Sequence, residues 1–291
     1  MNYFNTVKKM QYKREKRIFG IITAIYWFSL YTYVPILSPY AQSLGATGTL
    51  IGLIIGSYGF TQMIIRIPMG IVSDKLKRRK PFVVGGIIIA VISGVGPYVF
   101  RTPVALLLFR GLSGVAAASW VIFTVLFASY FEEKDMPKAL GYINAYNSFG
   151  QVSAMFLGGI VAQSQGQEYT FLLAAAVGCA GILLSFKIKE SKNIDTQPLV
   201  IKDVLLIGKN KNLMVSSLLA IIFQVLTFTT VFGFTPIIAK DLGASNFELG
   251  LLSTLSTVPI IFASFLSGTF FKDKIGIRQT IILGFVVSAL S

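Results

Sequence analysis

Two arginines carry the most unusual chemistry in this sequence. Arg66 and Arg110 lie inside long apolar runs, whereas all twelve carboxylates fall at the ends of such runs or between them. A lone arginine in hydrocarbon costs at least about 2.5 kcal/mol, so each should face an interior and find a partner there. Two buried cations without a buried anion point to a substrate that is anionic or carries a negative group; carboxylates on later spans are the competing partners. Arg66 shares a helical stripe with Gln62, Gly70 and Asp74 and precedes Pro68. For it a packing role is favoured, with the guanidinium snorkelling toward Asp74. Arg110 is flanked by Ser113, Gly114 and Ala117, small residues that let a neighbouring helix come close.

Neutral polar groups offer a second set of candidates. Asn144, Asn147, Ser148 and Gln151 recur at spacings of three, one and three, which places them on one helical face. Contact with a substrate and hydrogen bonding between helices are both open for them. Tyr26, Ser29, Tyr33 and Tyr40 form a stripe that could line a cavity, with Tyr40 better read as an interfacial anchor. Gln224 is a single further candidate, Trp120 reads as a packing residue, and Gly52 and Gly56 read as a site of close helix packing. Histidine is absent and Cys179 is the single cysteine, which removes the commonest general base and metal ligand. There is no G-x-x-x-x-G-K-S/T phosphate loop. Neither enzymatic activity, a metal nor a cofactor is expected.

The elements that must hold these groups follow from composition. The 291 residues are 54% hydrophobic and 13% charged, with a mean hydropathy of +0.71, against about 45–50% apolar and about 25% charged in soluble domains. This is an all-α integral membrane protein. Eight runs are long enough to cross about 30 Å of hydrocarbon: 18–40, 49–72, 81–100, 103–129, 139–161, 169–187, 213–239 and 247–271. They are too long and too uniformly apolar for barrel strands, and the first is too long for the core of a signal peptide.

Charge fixes the expected orientation. Of the 26 basic residues, 22 fall in the N-terminal tail and the connections after spans 2, 4, 6 and 8, while only Arg101 and Lys240 fall in the alternate connections. By the positive-inside rule the N-terminus is cytoplasmic, in a multi-pass protein of the plasma membrane. The net charge of +14 is then a topology signal that also meets anionic lipid, and nucleic acid is not an expected partner. A ninth apolar run, 279–291, has 13 residues and covers roughly 20 Å, short of a crossing. The expectation is a fragment of a longer chain.

An internal repeat supports that expectation. Residues 44–53 (LGATGTLIGL) and 242–251 (LGASNFELGL) share five of ten positions at an offset of 198, and 74–79 (DKLKRR) is echoed by 273–278 (DKIGIR). Six spans separate the copies, so the repeat is parallel and the architecture is two six-helix halves. The expected parts are a basic tail (1–17), an N-terminal half (18–187), a central cytoplasmic loop (188–212) with an amphipathic stretch at 198–208, and an incomplete second half (213–291). The intact protein should have twelve spans and about 390–400 residues.

These features resemble the major facilitator superfamily of secondary transporters. Gly70 to Arg79 (GIVSDKLKRR) is similar to its signature G-x-x-x-D-R/K-x-G-R/K-R/K, with Lys77 in place of the second glycine. Arg110 to Ala117 (RGLSGVAA) is similar to the R-x-x-x-G-x-x-A element of its drug/proton antiporter-like branches. Of the Gly-Pro-x-x-Gly-Gly element usual in span 5 of such antiporters, Gly158 and Gly159 remain.

The resemblance implies a secondary active transporter of a small solute working by alternating access, in the efflux or uptake direction, ion-coupled through protons, and monomeric. It implies a coupling or substrate-gating role for Arg110. It also implies a cytoplasmic gate built from Gly70, Asp74, Lys75, Arg78 and Arg79, echoed by Asp273 and Arg278, with Glu132 and Glu133 as partners for Arg78 and Arg79. Proton-coupled relatives commonly carry an acidic residue in span 1, and this span 1 has none. An uncoupled facilitator of the same fold therefore stays open, as does a membrane receptor that transports nothing.

Overall fold

The computed structural model describes residues 2–190 and 210–266, together with 274, 276, 278–280, 282–284 and 286. Asp273 and the stretch 198–208 lie outside the described residues. All regular structure among those residues is helical. Helices α1 (Asn2–Tyr31) and α2 (Val34–Ser43) form the first rod, α3 (Gly48–Leu76) the second and α4 (Lys80–Val99) the third. The fourth joins α5 (Pro103–Ala118) to α6 (Trp120–Ala128); α7 (Met136–Ser164) and α8 (Tyr169–Ser185) follow. Helix α9 (Lys211–Thr229) runs through a π turn (Thr230–Phe234) into α10 (Thr235–Asp241), and α11 (Asn246–Leu266) comes last.

Among the described residues, five rods are long and apolar enough to cross a membrane: Lys13–Ser43, Gly48–Leu76, Lys80–Val99, Pro103–Ala128 and Lys211–Asp241. Helix α8 is apolar but has only 17 residues, about 25 Å of rise. Helix α7 is long, and its apolar character is diluted by Asn144, Asn147, Ser148 and Gln151.

The interruption between α1 and α2 has a local cause. Pro35 has no N–H to return to the Tyr31 carbonyl, so the helical ladder fails there. The chain turns at Thr32, whose hydroxyl donates to Phe28 O at 2.6 Å, and restarts with Tyr33 as the N-cap. This turn carries Tyr33 into the interior, where it is 2% exposed.

The described parts of the basic segments around Glu15, Lys80 and Lys189 share one end of the bundle. There Lys80 Nζ donates to Phe186 O at 2.8 Å, Lys189 pairs with Glu15 at 3.8 Å, and Tyr130 Oη donates to Lys189 O at 2.6 Å. The opposite end is held by an Arg101–Glu168 pair at 3.1 Å and by Asn246, which joins α11 to the end of α7. Between the ends runs an aromatic column. Phe19 packs on Phe123 and Phe127, Tyr26 stacks on Phe123 at 4.6 Å, and Trp27 meets Trp120 edge-on at 5.2 Å.

Close packing does not fall where glycine spacing on α3 places it. Gly52 and Gly56 face open space among the described residues. The tight approach lies elsewhere: a Cβ on Gly250 of α11 would stand 2.7 Å from Gly159 Cα and 2.8 Å from the Met155 carbonyl of α7. A glycine pair one turn apart permits such contact, but which helix supplies the partner is a tertiary fact.

Candidate substrate site

The crossing of α3 and α5 builds the centre of the site. Two hydroxyls on α3 reach across to carbonyls of α5: Ser57 Oγ donates to Leu107 O at 3.3 Å and Thr61 Oγ1 to Gly111 O at 2.6 Å. Gly114 completes the approach, because a Cβ there would run into the Tyr58 carbonyl and the Thr61 hydroxyl. Tyr58 lies between the two hydroxyl residues and is pressed against Arg110, which lies between the two carbonyls. The guanidinium carbon is 4.3 Å from the Tyr58 ring centroid and 5.7 Å from that of Tyr33.

Arg110 is 3% exposed. Its Nη1 makes a long 3.5 Å contact to Ser113 Oγ, and its Nε has no hydrogen-bond partner among the described residues. No salt bridge to it is found among those residues. The charge is therefore held by aromatic faces, an arrangement worth about 2 kcal/mol when desolvated, and not by a carboxylate. Phe228 stacks on Tyr58 at 5.8 Å and Phe232 meets Tyr31 at 6.2 Å, so α9 and its π turn pack against two tyrosines of this region.

Arg66 is half-buried and its Nε also lacks a partner among the described residues. It does not reach Asp74. Asp74 instead pairs with Arg79 at 3.4 Å.

The other predicted residues divide. Gln151 Nε2 donates to Asn147 Oδ1 on the half-buried face of α7, so these two are gathered as a pair. Asn144 and Gln224 are exposed and are not brought to Arg110. Tyr33 joins the cage. Tyr26 lies deeper in the aromatic column, its hydroxyl 3.3 Å from Ser119 Oγ.

At the basic end, Arg79 is 3% exposed while Lys75 and Arg78 point outward. Glu190 Oε1 accepts from the backbone N–H groups of Arg79 and Lys80 at the start of α4, where a carboxylate also meets the positive end of the helix dipole. Glu132 pairs with Lys134 at 2.7 Å. The Arg79 ion pair is thus with Asp74 within the same connection, and not with Glu132 or Glu133. A Cβ on Gly70 would meet nothing within 4 Å among the described residues, and Arg278 is exposed.

A family model described as Major Facilitator Superfamily matches residues 19–291. The chain belongs to that superfamily. It is 27% identical over 296 residues to MJ1560, an uncharacterized MFS-type transporter of Methanocaldococcus jannaschii, covering 95% of this chain and 73% of that protein. It is 29% identical over 167 residues to the inner membrane transport protein YajR of Escherichia coli, covering 57% of this chain and 36% of YajR. The chain therefore spans about a third of one relative and about three-quarters of the other. In fold it is similar to a bacterial homolog of the human lysosomal transporter Spinster in an inward-facing and occupied conformation, with a TM-score of 0.72 at 18% identity over 90% of this chain and 62% of that one.

Membership of the superfamily gives the Lys77 position a physical reading. Lys77 ends α3 in the left-handed conformation (φ +51°), where the superfamily signature has glycine. The turn at that position needs a positive φ, which glycine adopts without steric cost.

Several residues of the site were not expected from the sequence: Tyr31, Tyr58, Phe228, Phe232 and Glu190. Tyr58 left one usable signal, an aromatic hydroxyl in mid-span, away from the interfacial belts where tyrosine is enriched. Nothing local marked the other four.

Proposed function

We propose that this protein moves a small organic anion across the plasma membrane by alternating access, acting as a monomer with its N-terminus in the cytoplasm. The observation that carries the reading is Arg110: a guanidinium buried between α3, α5 and the α1–α2 turn, caged by tyrosines, with no carboxylate partner among the described residues. An interior cation without a counter-ion is costly to keep, and a substrate that brings the missing charge accounts for it. The 22-to-2 division of basic residues supports the orientation. The brace formed by Asp74, Arg79 and Glu190 supports a gate at the basic end. The Arg110 to Ala117 element supports proton antiport in the efflux direction.

Uptake and release of labelled organic anions and cations by vesicles from cells expressing the protein test this. Transport of anions that is lost in Arg110→Gln is expected; strict selectivity for organic cations overturns it. A second reading, uncoupled facilitation, is favoured by one observation: every described carboxylate lies near the end of a rod or between rods. Collapse of substrate gradients by a protonophore selects coupled transport; indifference to it selects facilitation.

A further inference from the structure

Arg110 is not the only group in the cage without a partner. The Tyr33 hydroxyl, on a residue 2% exposed, also has none among the described residues. Buried polar atoms are nearly always hydrogen-bonded, so an unmatched donor pair in one cage marks a place where something else supplies the acceptor. The shape of that acceptor can be read. The Tyr58 ring lies 4.3 Å from the guanidinium carbon, and the unpartnered Nε–H lies, as every guanidinium N–H does, in the plane of the group. A carboxylate fits a guanidinium edge with two parallel hydrogen bonds and leaves the stacked faces undisturbed.

The rest of the cage is aromatic. Phe228 and Phe232 lie 5.6 Å apart and bear on Tyr58 and Tyr31. Phe228 comes from the last turn of α9 and Phe232 from the π turn Thr230–Phe234, an irregularity frequent at functional sites, and Ser38 Oγ of α2 donates to Phe232 O at 3.3 Å. A small aliphatic anion would satisfy the guanidinium and waste this surface; a planar ring would use both.

We propose that the cage of Tyr33, Tyr58, Arg110, Phe228 and Phe232 binds an aromatic monocarboxylate, its carboxylate on the Arg110 edge and the Tyr33 hydroxyl and its ring among the tyrosine and phenylalanine faces. This rests on the reading of the protein as an anion transporter. The cage carries its own reporter. Trp27 and Trp120 are the chain's two tryptophans, and Trp27 stands 5.6 Å from Tyr31 and 5.7 Å from Tyr26.

The test titrates the full 291-residue chain in detergent with benzoate, acetate and benzyltrimethylammonium. It follows tryptophan emission and the binding of labelled ligand, with circular dichroism and the thermal midpoint as controls of folding. Benzoate is expected to bind saturably and at least about tenfold tighter than acetate, through its buried ring. Arg110→Lys should weaken benzoate by about tenfold or more, because an ammonium lacks the in-plane fork. Tyr33→Phe should weaken it by about three- to tenfold through one lost hydrogen bond to a charged group, with the fold intact. Should Arg110→Lys fail to fold, Tyr33→Phe carries the test alone. Equal binding of benzoate and acetate overturns the aromatic assignment and leaves the anion reading standing. Preference for benzyltrimethylammonium overturns both. Benzoate affinity unchanged in a folded Arg110→Lys or Tyr33→Phe chain, or no saturable benzoate binding by the folded parent, overturns the site.

Discussion

The segment that leads into α3 and the segment that leads into α11 stand 198 residues apart and have the same backbone. In the first, the N–H of Gly45 donates to Gln42 O at 2.9 Å and that of Ala46 to Ala41 O at 3.0 Å; in the second, Gly243 donates to Lys240 O at 3.0 Å and Ala244 to Ala239 O at 2.9 Å. Both are Schellman caps, and both glycines have positive φ, +86° and +97°. The side chains diverge from there. Gly52, in the first copy, faces open space among the described residues, whereas its counterpart Gly250 is the point of closest approach between α7 and α11. Thr47 caps α3 with one long bond from Leu50 N at 3.4 Å. Ser245 caps α11 in a reciprocal box: its backbone N–H donates to Glu248 Oε2 at 2.7 Å, and Glu248 N–H donates to Ser245 Oγ at 3.2 Å. What the two copies share is the corner that reverses the chain; what each does with it depends on the neighbour it meets.

Substituting the paired glycines separates the copies most sharply. Gly250→Leu must drive α11 away from the Gly159 backbone, and overpacking a contact with no flexible side chain to yield should cost about 3 kcal/mol. Gly52→Leu should stay within about 0.5 kcal/mol, since nothing described lies in its way. Thermal midpoints of the purified variants in one detergent check the pair. Equal losses at the two positions would mean that Gly52 has a partner of its own and that the copies are packed alike.

Asn246 gives the next largest difference. Its side chain donates to Ala162 O at 3.0 Å and accepts from Gln167 Nε2 at 2.9 Å and Lys240 Nζ at 3.3 Å, while the first copy has Gly48 there and no side chain to tie. Asn246→Ala should cost about 2 kcal/mol, mostly through polar groups left unmatched. It should also loosen α11 from α7, read as faster hydrogen exchange at the N-terminus of α11. Exchange unchanged there would show that the glycine contact, the Phe156–Phe247 pair and the bond from Asn246 N–H to Gln163 hold the two helices without the Asn246 side chain.

The caps themselves should differ by less. Ser245→Ala removes one half of a reciprocal box and should cost about 1 kcal/mol; Thr47→Ala removes one long bond and should cost a few tenths. The order of the two losses is the measurement, and its reversal would mean that the 3.4 Å bond of Thr47 is the stronger cap.

These contrasts show what could be read before the fold was known. The rods follow from runs of apolar residues. The repeat is visible as five identities in ten positions, whereas the break at Tyr33 falls inside a run, 18–40, expected as one continuous span. The burial of Arg110 was legible because a charge inside a span has nowhere else to go. The pairing of Gln151 with Asn147 is a property of one helix face, and periodicity reaches it. The cage around Arg110 was not legible. It is made where Ser57 and Thr61 of α3 clasp Leu107 and Gly111 of α5, and no pattern within either helix names the other. The choice between Arg78 and Arg79 was hidden for a similar reason: which side chain turns inward is set by the left-handed residue two places earlier. Gly52 and Gly250 hold matching positions in the repeat, each followed by leucine, and that match does not reveal their different surroundings.

The left-handed residue gives the smallest effect and the clearest use of the repeat. Lys77 closes α3 at φ +51°, and Gly276, three residues beyond the second copy's aspartate as Lys77 is beyond Asp74, has φ +80°. The left-handed position is therefore taken once by lysine and once by glycine. A non-glycine residue in this conformation costs about 1 kcal/mol, and glycine gives back about 0.5 kcal/mol through the freedom of the unfolded chain. Lys77→Gly should then stabilise the protein by about 0.5 kcal/mol, seen as a small rise in thermal midpoint. The Asp74–Arg79 pair depends on the turn and not on the lysine side chain, so it should survive; an added Asp74→Asn change should lower the midpoint equally in both backgrounds. If Lys77→Gly instead abolishes that response, the lysine side chain holds the turn in register, and the two copies differ in their backbone as well as in their surroundings.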